Sequence, residues 1–533
     1  MGRILTQQER LQAASQPFSA PISIPAPVKG WNSRDEFDAM DPLDAVQLDN
    51  WFPDAGGIFL RNGSQMFASG LGASQVATLA EYSAGATNKL LAACSGQIWD
   101  ISNGGVTGTG FAIGVSAIGF GAIGAGSGQP VSLGSGFGSD QWQTVNFLQN
   151  LFFANGVDPM QVFNGTTLAP ATFTGLTGTP LWGVWEYQQR LFFWQKNSTG
   201  FWYALLNSIN GPLAFFDLSP FTPRGGNLIA VTTSSYDGGN GVLDYIVFIM
   251  STGDALLYVG NDPALSSNWQ LLGNYRISPP VSPRAVCDYG GDSFLTTFDD
   301  HVTLQQMFTA LRLGEMAPRS KVSKAVQLAV QQGQNLFGWQ AMYYPRGRSL
   351  LFNIPNPDGT FDQHICNTGL PTQPWCRYVN QNGCCFGLYN NLLYFGAANG
   401  TVFQADTGNL DNLGAIQAVA QPAWNKLGNA QRKRIAAVRP ILQSVGALSY
   451  EFSMGFDYQA LTIADPVVTP ANGSPWNTSP WNISPWSSEY SVDVEWRVGG
   501  GTGTAVGVAI SIAAMQPVSW FRTDLRMEGG NAL

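Results

Sequence analysis

The 533-residue chain is only 11% charged but 12% aromatic, with 62 Gly and 31 Pro. That is the usage of many short strands joined by tight turns, which excludes a bundle of long amphipathic helices. A formal net charge of −9 excludes a protein that grips nucleic acid by neutralising phosphates, though not a surface that DNA slides past.

No 18-residue apolar span stands outside the Gly-rich segment, so no transmembrane helix is expected. The first residues lack the apolar core of a signal peptide, and Met1-Gly2 with Thr6 fits the myristoylation pattern only loosely. The six cysteines (Cys94, Cys287, Cys366, Cys376, Cys384, Cys385) are too scattered for a disulfide scaffold and point to folding in a reducing cytoplasm. Residues 1–28 are polar and then Pro-rich, which predicts an extended arm. Asp41-Pro42 predicts a short helix ending before Pro53, with Asp41 as N-cap, Pro42 at the first helical position and Asp44 two further on. Seven carboxylates lie between Asp35 and Asp54. With no His or Cys near them they read as a solvated, capped helix start and not as a metal or acid/base site.

From Gly63 to Asp406 one pattern recurs, clearest at 391–406. A short apolar run, Leu392 to Phe395, is followed by Asn399-Gly400 and a returning strand, Thr401 to Gln404. Asn-Gly is the strongest two-residue hairpin signal because both positions tolerate positive φ. Copies begin with Leu90, Leu151, Leu191, Ile246, Phe294 and Leu350. The spacing averages about 50 residues, the period of a four-stranded propeller blade. The prediction is an all-β protein, with a β-propeller-like body of about six to seven blades over 63–412. Residues 1–62 form the N-terminal arm and short helix, and 413–533 a C-terminal β-domain.

Within the body, the Gly-rich residues 103–140 predict an insertion between blades. Asn155-Gly156-Val157-Asp158-Pro159 reads as turn chemistry. Residues 319–334 predict the one inserted helix, with Val322, Ala325, Val326 and Ala329 at helical spacing and Gly333 as stop. Beyond the body, Arg432-Lys433-Arg434 leads into a strand. Ser-Pro-Trp then occurs three times, a Pro-stiffened loop presenting Trp476, Trp481 and Trp486. These six residues are the candidate interface.

Several of these motifs resemble the tail nozzle family of short-tailed bacteriophages, also called tail tubular protein B or tail hub. They are Gly30-Trp31-Asn32, Met40-Asp41-Pro42, Asp49-Asn50-Trp51-Phe52-Pro53 and Leu60-Arg61-Asn62-Gly63. The Asn155 turn, the basic lead-in at 432–434, the Trp520 strand and the Gly529-Gly530 ending are similar as well. The resemblance implies a structural virion protein made in the bacterial host cytoplasm. Six copies would form a ring at the distal end of the tail, joined to an adaptor above and to fibres or a tip below. Genomic DNA would pass through without tight binding, and the host cell envelope is one surface that the Trp loop could meet. The alternative is a receptor- or carbohydrate-binding β-propeller.

Catalytic chemistry finds no foothold in the sequence. The two histidines, His301 and His364, have no Gly-x-Ser-x-Gly elbow beside them, and Thr360 to His364 reads as a blade turn. His364 and Cys366 with Cys376, Cys384 and Cys385 lack a Cys-x2-Cys pair, so buried structural thiols are expected in place of zinc. Ser-x-Asp-x-Gly occurs once, at Ser235 to Gly239, and reads as an ordinary turn. No catalytic, cofactor or metal residue is assigned.

Overall fold

The computed structural model describes residues 21–106, 129–237, 242–313, 319–445, 448–466, 468 and 490–528. Two compact units divide the chain, 62–371 with 377–413, and 1–61 with 372–376 and 414–533.

In the first unit the seven hairpins fall in seven successive antiparallel sheets. Their opening strands are Thr78–Ala84, Gln143–Phe147, Leu181–Tyr187, Leu228–Asp237, Val286–Tyr289, Gln340–Tyr344 and Cys385–Tyr389. Each opening strand packs against that of the next sheet, and the seventh packs against the first. The sheets therefore close into a β-propeller. Leu191-Phe192-Phe193-Trp194 shows why its strands read as unbroken apolar runs. Phe192 and Trp194 pack against Ile246, Phe248 and Met250 of the fourth sheet, while Leu191 and Phe193 pack with Phe152 and Ala154 of the second. Side chains alternate across a strand, so a strand covered on both faces has no polar position to spare. Full burial of each such side chain contributes about 1.5–3 kcal/mol.

The ring is closed by the two ends of the unit's own segment. Leu392–Gly396 and Val402–Ala405 continue the seventh sheet, and Ser64–Ser69 from the start of the unit adds beside Val402–Ala405. Asn399 and Gly400 both have φ near +60°, as the Asn-Gly signal requires.

Two α-helices belong to this unit among the described residues, α1 (Leu304–Leu313) and α2 (Ser323–Gly333). The sequence reading had one. Helix α1 follows His301–Thr303, the third strand of the fifth sheet, and buries Leu304, Met307 and Phe308 against Leu295 and Val302. The Gly-rich stretch is likewise not all insertion. Val131–Ser135 is the fourth strand of the first sheet, while 107–128 lie outside the described residues.

The second unit is built from both ends of the chain. Lys433–Val445 pairs with Val518–Glu528, which also pairs with Ile22–Pro25 and Gly57–Leu60. The other sheet orders Gly30–Trp31, Asp44–Asp49, Ile416–Pro422, Val506–Ala514 and Tyr450–Phe456. Ile24, Ile435, Val438, Val508 and Leu525 form the core that joins the two sheets. The amino-terminal stretch from Ile22 is thus part of the same fold as the carboxy-terminal β-domain, not a separate arm.

The expected helix after Asp41 is absent. Residues Asp44–Asp49 and Trp51–Asp54 are strands. Asp41 Oδ1 accepts the Leu43 N–H at 2.9 Å, an Asx turn that uses the same Asp-Pro chemistry to enter a strand. Tertiary pairing then decides the outcome: Ala45 to Asp49 align with Pro422 to Val419 across the sheet.

Candidate interaction sites

The basic triplet divides in two. Arg432 and Arg434 are exposed, whereas Lys433 is buried. Lys433 Nζ donates to the carbonyls of Asn429 (2.5 Å), Gln431 (2.9 Å) and Thr504 (3.5 Å). Burial pushes its ammonium down from the usual lysine range. Lys433 therefore fastens the turn that precedes its own strand, and the two arginines alone face outward. Trp476, Trp481 and Trp486 lie outside the described residues.

The acidic opening segment is consumed by local fastenings. Asn32 Nδ2 donates to Asp35 and Asp44, both at 2.8 Å, and Lys29 pairs with Asp41 at 2.5 Å. Asp38 meets Lys426 and the Tyr458 hydroxyl, each at 2.5 Å. Arg61 Nε donates to Asn50 Oδ1 at 2.8 Å, and Asn50 Nδ2 to the Gln417 carbonyl at 2.7 Å. Trp51 is wholly buried with its ring centroid 6.5 Å from that of Trp520. The Asn155 motif is a turn as read: Asn155 Oδ1 accepts the N–H of Val157 and of Asp158. The Asp158 carboxylate accepts the Gly138 N–H at 2.9 Å, near the end of the first sheet's outer strand.

The two histidines, 63 positions apart, are brought together. His301 Nε2 lies 3.1 Å from His364 Nδ1, and His301 Nδ1 lies 3.0 Å from Thr296 Oγ1. The His301 ring stacks on Phe352 with centroids 4.1 Å apart. His364 sits inside the strand Phe361–Asn367, not in the turn expected for it. Burial holds both imidazoles well below the usual histidine range, His364 at about 3 with Arg377 adding to the effect. Buried this deeply, the pair reaches no substrate. Among the described residues no three metal-ligating side chains cluster.

Arg284 is a feature that sequence reading missed. Placed just before the fifth sheet's opening strand, it donates through Nη1 to the Ala77 carbonyl at 2.8 Å, beside the start of the first sheet. Nη2 reaches Gln340 Oε1 at 3.4 Å, at the start of the sixth. Gln340 in turn binds the Phe386 N–H and carbonyl of the seventh, at 2.9 and 2.8 Å. Arg284 and Gln340 together thus tie the ends of four sheets. Nothing in the local sequence signals it, because its partners come from three distant segments.

A cleft of about 430 Å³ opens between α2 and the turn at Phe298-Asp299. Its polar wall carries Arg319 and glutamines at 327, 331 and 334. The glutamine spacing of four and three puts them on one helix face, a signal visible in the sequence but easily taken for a solvated surface.

No known protein family matches this sequence, and no curated protein does. Three solved structures are similar to the chain. One is the computationally designed Ika8 protein, at 11% identity, covering 67% of this chain and 96% of that one with a TM-score of 0.36. Another is YCF48 bound to D1 peptide, at 6% identity, 64% and 95% coverage and a TM-score of 0.36. The third is BBS1N in complex with ARL6DN, at 8% identity, 66% and 97% coverage and a TM-score of 0.37.

Proposed function

We propose that the chain is a structural subunit of a phage tail nozzle, six copies of which form the distal conduit for DNA ejection. A propeller is compatible with a structural or a binding role, and the finer assignment is carried by the opening motifs. Trp31, Met40, Asp49, Asn50, Trp51 and Arg61, on which the resemblance rests, are all buried in the β unit built from both chain ends. Residues that specify how that unit folds are the ones in which a family likeness should persist. The conduit then runs through the ring of subunits.

Passage without grip follows from the charge. An excess of nine acidic groups repels the duplex over about 8 Å at physiological salt. Contacts to neighbouring subunits fall to Arg432 and Arg434, and contact at the tip to Trp476, Trp481 and Trp486. Mass spectrometry of purified virions followed by reconstruction of the tail tests the reading. Six copies around the axis are expected; absence from particles, or one or three copies, overturns it. Tight, salt-sensitive duplex binding by the purified protein contradicts the conduit. The second reading, a receptor- or carbohydrate-binding propeller, is favoured by the cleft at α2.

A further inference from the structure

We propose that the cleft between α2 and the Phe298-Asp299 turn binds a neutral saccharide. This locates a site within the second reading and does not depend on the nozzle assignment, because sugar binding and virion incorporation are read by separate experiments.

The chemistry of the walls selects the ligand class. Phe298, 37% exposed, supplies apolar surface against which the C–H face of a pyranose can lie. Helix α2 and its C-cap supply planar hydrogen-bonding groups. Gln331 and Gln334 are exposed amides, each offering a carbonyl acceptor and two N–H donors. A side-chain amide can therefore accept from one hydroxyl and donate to its neighbour, as a vicinal diol requires. Gln327 Nε2 donates to the Asp299 carbonyl at 3.2 Å, so the turn is fastened to the helix and the cleft's width is set before any ligand arrives. The turn has a second fastening. Asp300 accepts the Ser320 N–H at 2.6 Å and also binds the Ser320 hydroxyl.

Charge excludes the other classes. One carboxylate, Asp299, and one guanidinium, Arg319, line the cleft, so its walls are neutral overall. An anion would meet Asp299, a cation would meet Arg319, and a nucleic acid would find a single cation in a chain of net charge −9. A greasy helix or peptide would strand five polar side chains. The volume lies within the usual range for small-molecule sites.

Saturation-transfer NMR on the full-length protein tests the proposal, with maltose, cellobiose, lactose and N,N′-diacetylchitobiose each at about 5 mM, a concentration suited to millimolar affinity. At least one disaccharide is expected to receive saturation. The signal should fall about tenfold in Gln331→Ala/Gln334→Ala and persist in Gln332→Ala, an exposed change outside the cleft. Both variants are surface changes, and matching melting curves would show that the fold is kept. No transfer to any of the four, transfer unaffected by the double substitution, or transfer to a capped tripeptide in place of the sugars would each overturn the proposal.

Discussion

His301 Nε2 and His364 Nδ1, 3.1 Å apart in the core, join the fifth sheet of the propeller to the sixth. A hydrogen bond between two imidazoles needs one N–H and one bare nitrogen facing each other. With both rings protonated, N–H would face N–H and two charges would share an apolar pocket beside Phe352. The pair holds only while at least one ring is neutral.

Stability should therefore fall on acidification. The folded-state values lie below the unfolded value of 6.5, at about 3 for His364 and well below 6.5 for His301. The unfolded chain takes up these protons first, so the contribution is complete above pH 6.5 and is lost as pH drops towards 3. Between pH 6.5 and 5 His364 alone costs about 2 kcal/mol, and His301 adds in the same direction. Urea midpoints at pH 7 and pH 5 measure this for the wild type and for His301→Gln/His364→Gln. A double variant with the wild-type pH slope would show that the pair is not responsible.

Gly400 lies where the ring closes, and a methyl group there should weaken it. The Gly400 N–H donates to the Ser74 carbonyl at 2.8 Å, and the Leu71 N–H to the Gly400 carbonyl at 3.2 Å. A Cβ at Gly400 would sit 2.5 Å from the Gly72 carbonyl oxygen, on a residue with φ +60°. Gly400→Ala is expected to cost about 2–3 kcal/mol from the left-handed backbone and the clash together. An unchanged urea midpoint would mean that the closure is not built this way.

How much of this was readable in advance depends on the range of the interaction. Asn399-Gly400 announces its hairpin because turn chemistry is local. Leu191 to Trp194 announce a strand covered on both faces, and the repeat spacing announces the ring. The strand at Ser64–Ser69 closing against Val402–Ala405 carries no local mark, since its partner is more than 330 positions away. The same holds for His301 with His364 and for Arg284 with Ala77. Asp41-Pro42 points equally to a helix or a strand because an N-cap and an Asx turn use the same carboxylate on the same N–H groups, and only pairing with 419–422 separates them. Of the candidate triplet, alternation along Lys433–Val445 already turns Lys433 away from its neighbours, a signal that a run of like charges conceals.

In the second unit, Trp496 should couple to two arginines. The guanidinium carbons of Arg439 and Arg526 lie 4.6 and 4.5 Å from its ring centroid. Each cation–π contact is worth about 0.5–1 kcal/mol at a partly exposed site. Trp496→Leu keeps apolar bulk but removes the ring's quadrupole. A double-mutant cycle with Arg526→Met should return a coupling energy of about that size by urea denaturation, and additive single effects would sink the idea.

The basic triplet offers the sharpest separation of folding from assembly. Lys433 places its ammonium among three carbonyl oxygens, of Asn429, Gln431 and Thr504, while Arg432 and Arg434 point outward. Lys433→Met keeps the length of the side chain but leaves those carbonyls without their common donor, two of them within 2.9 Å of it in the wild type. That should lower the stability of the isolated protein by about 1–3 kcal/mol. Arg432→Ser/Arg434→Ser removes two exposed cations and should leave stability within about 0.5 kcal/mol of wild type. If the arginines serve subunit contacts, this second variant is the one that fails to enter particles, at an unchanged urea midpoint. Normal incorporation of the double arginine variant, with infectivity intact, would remove the triplet from the interface altogether and leave Lys433 as a purely internal fastening.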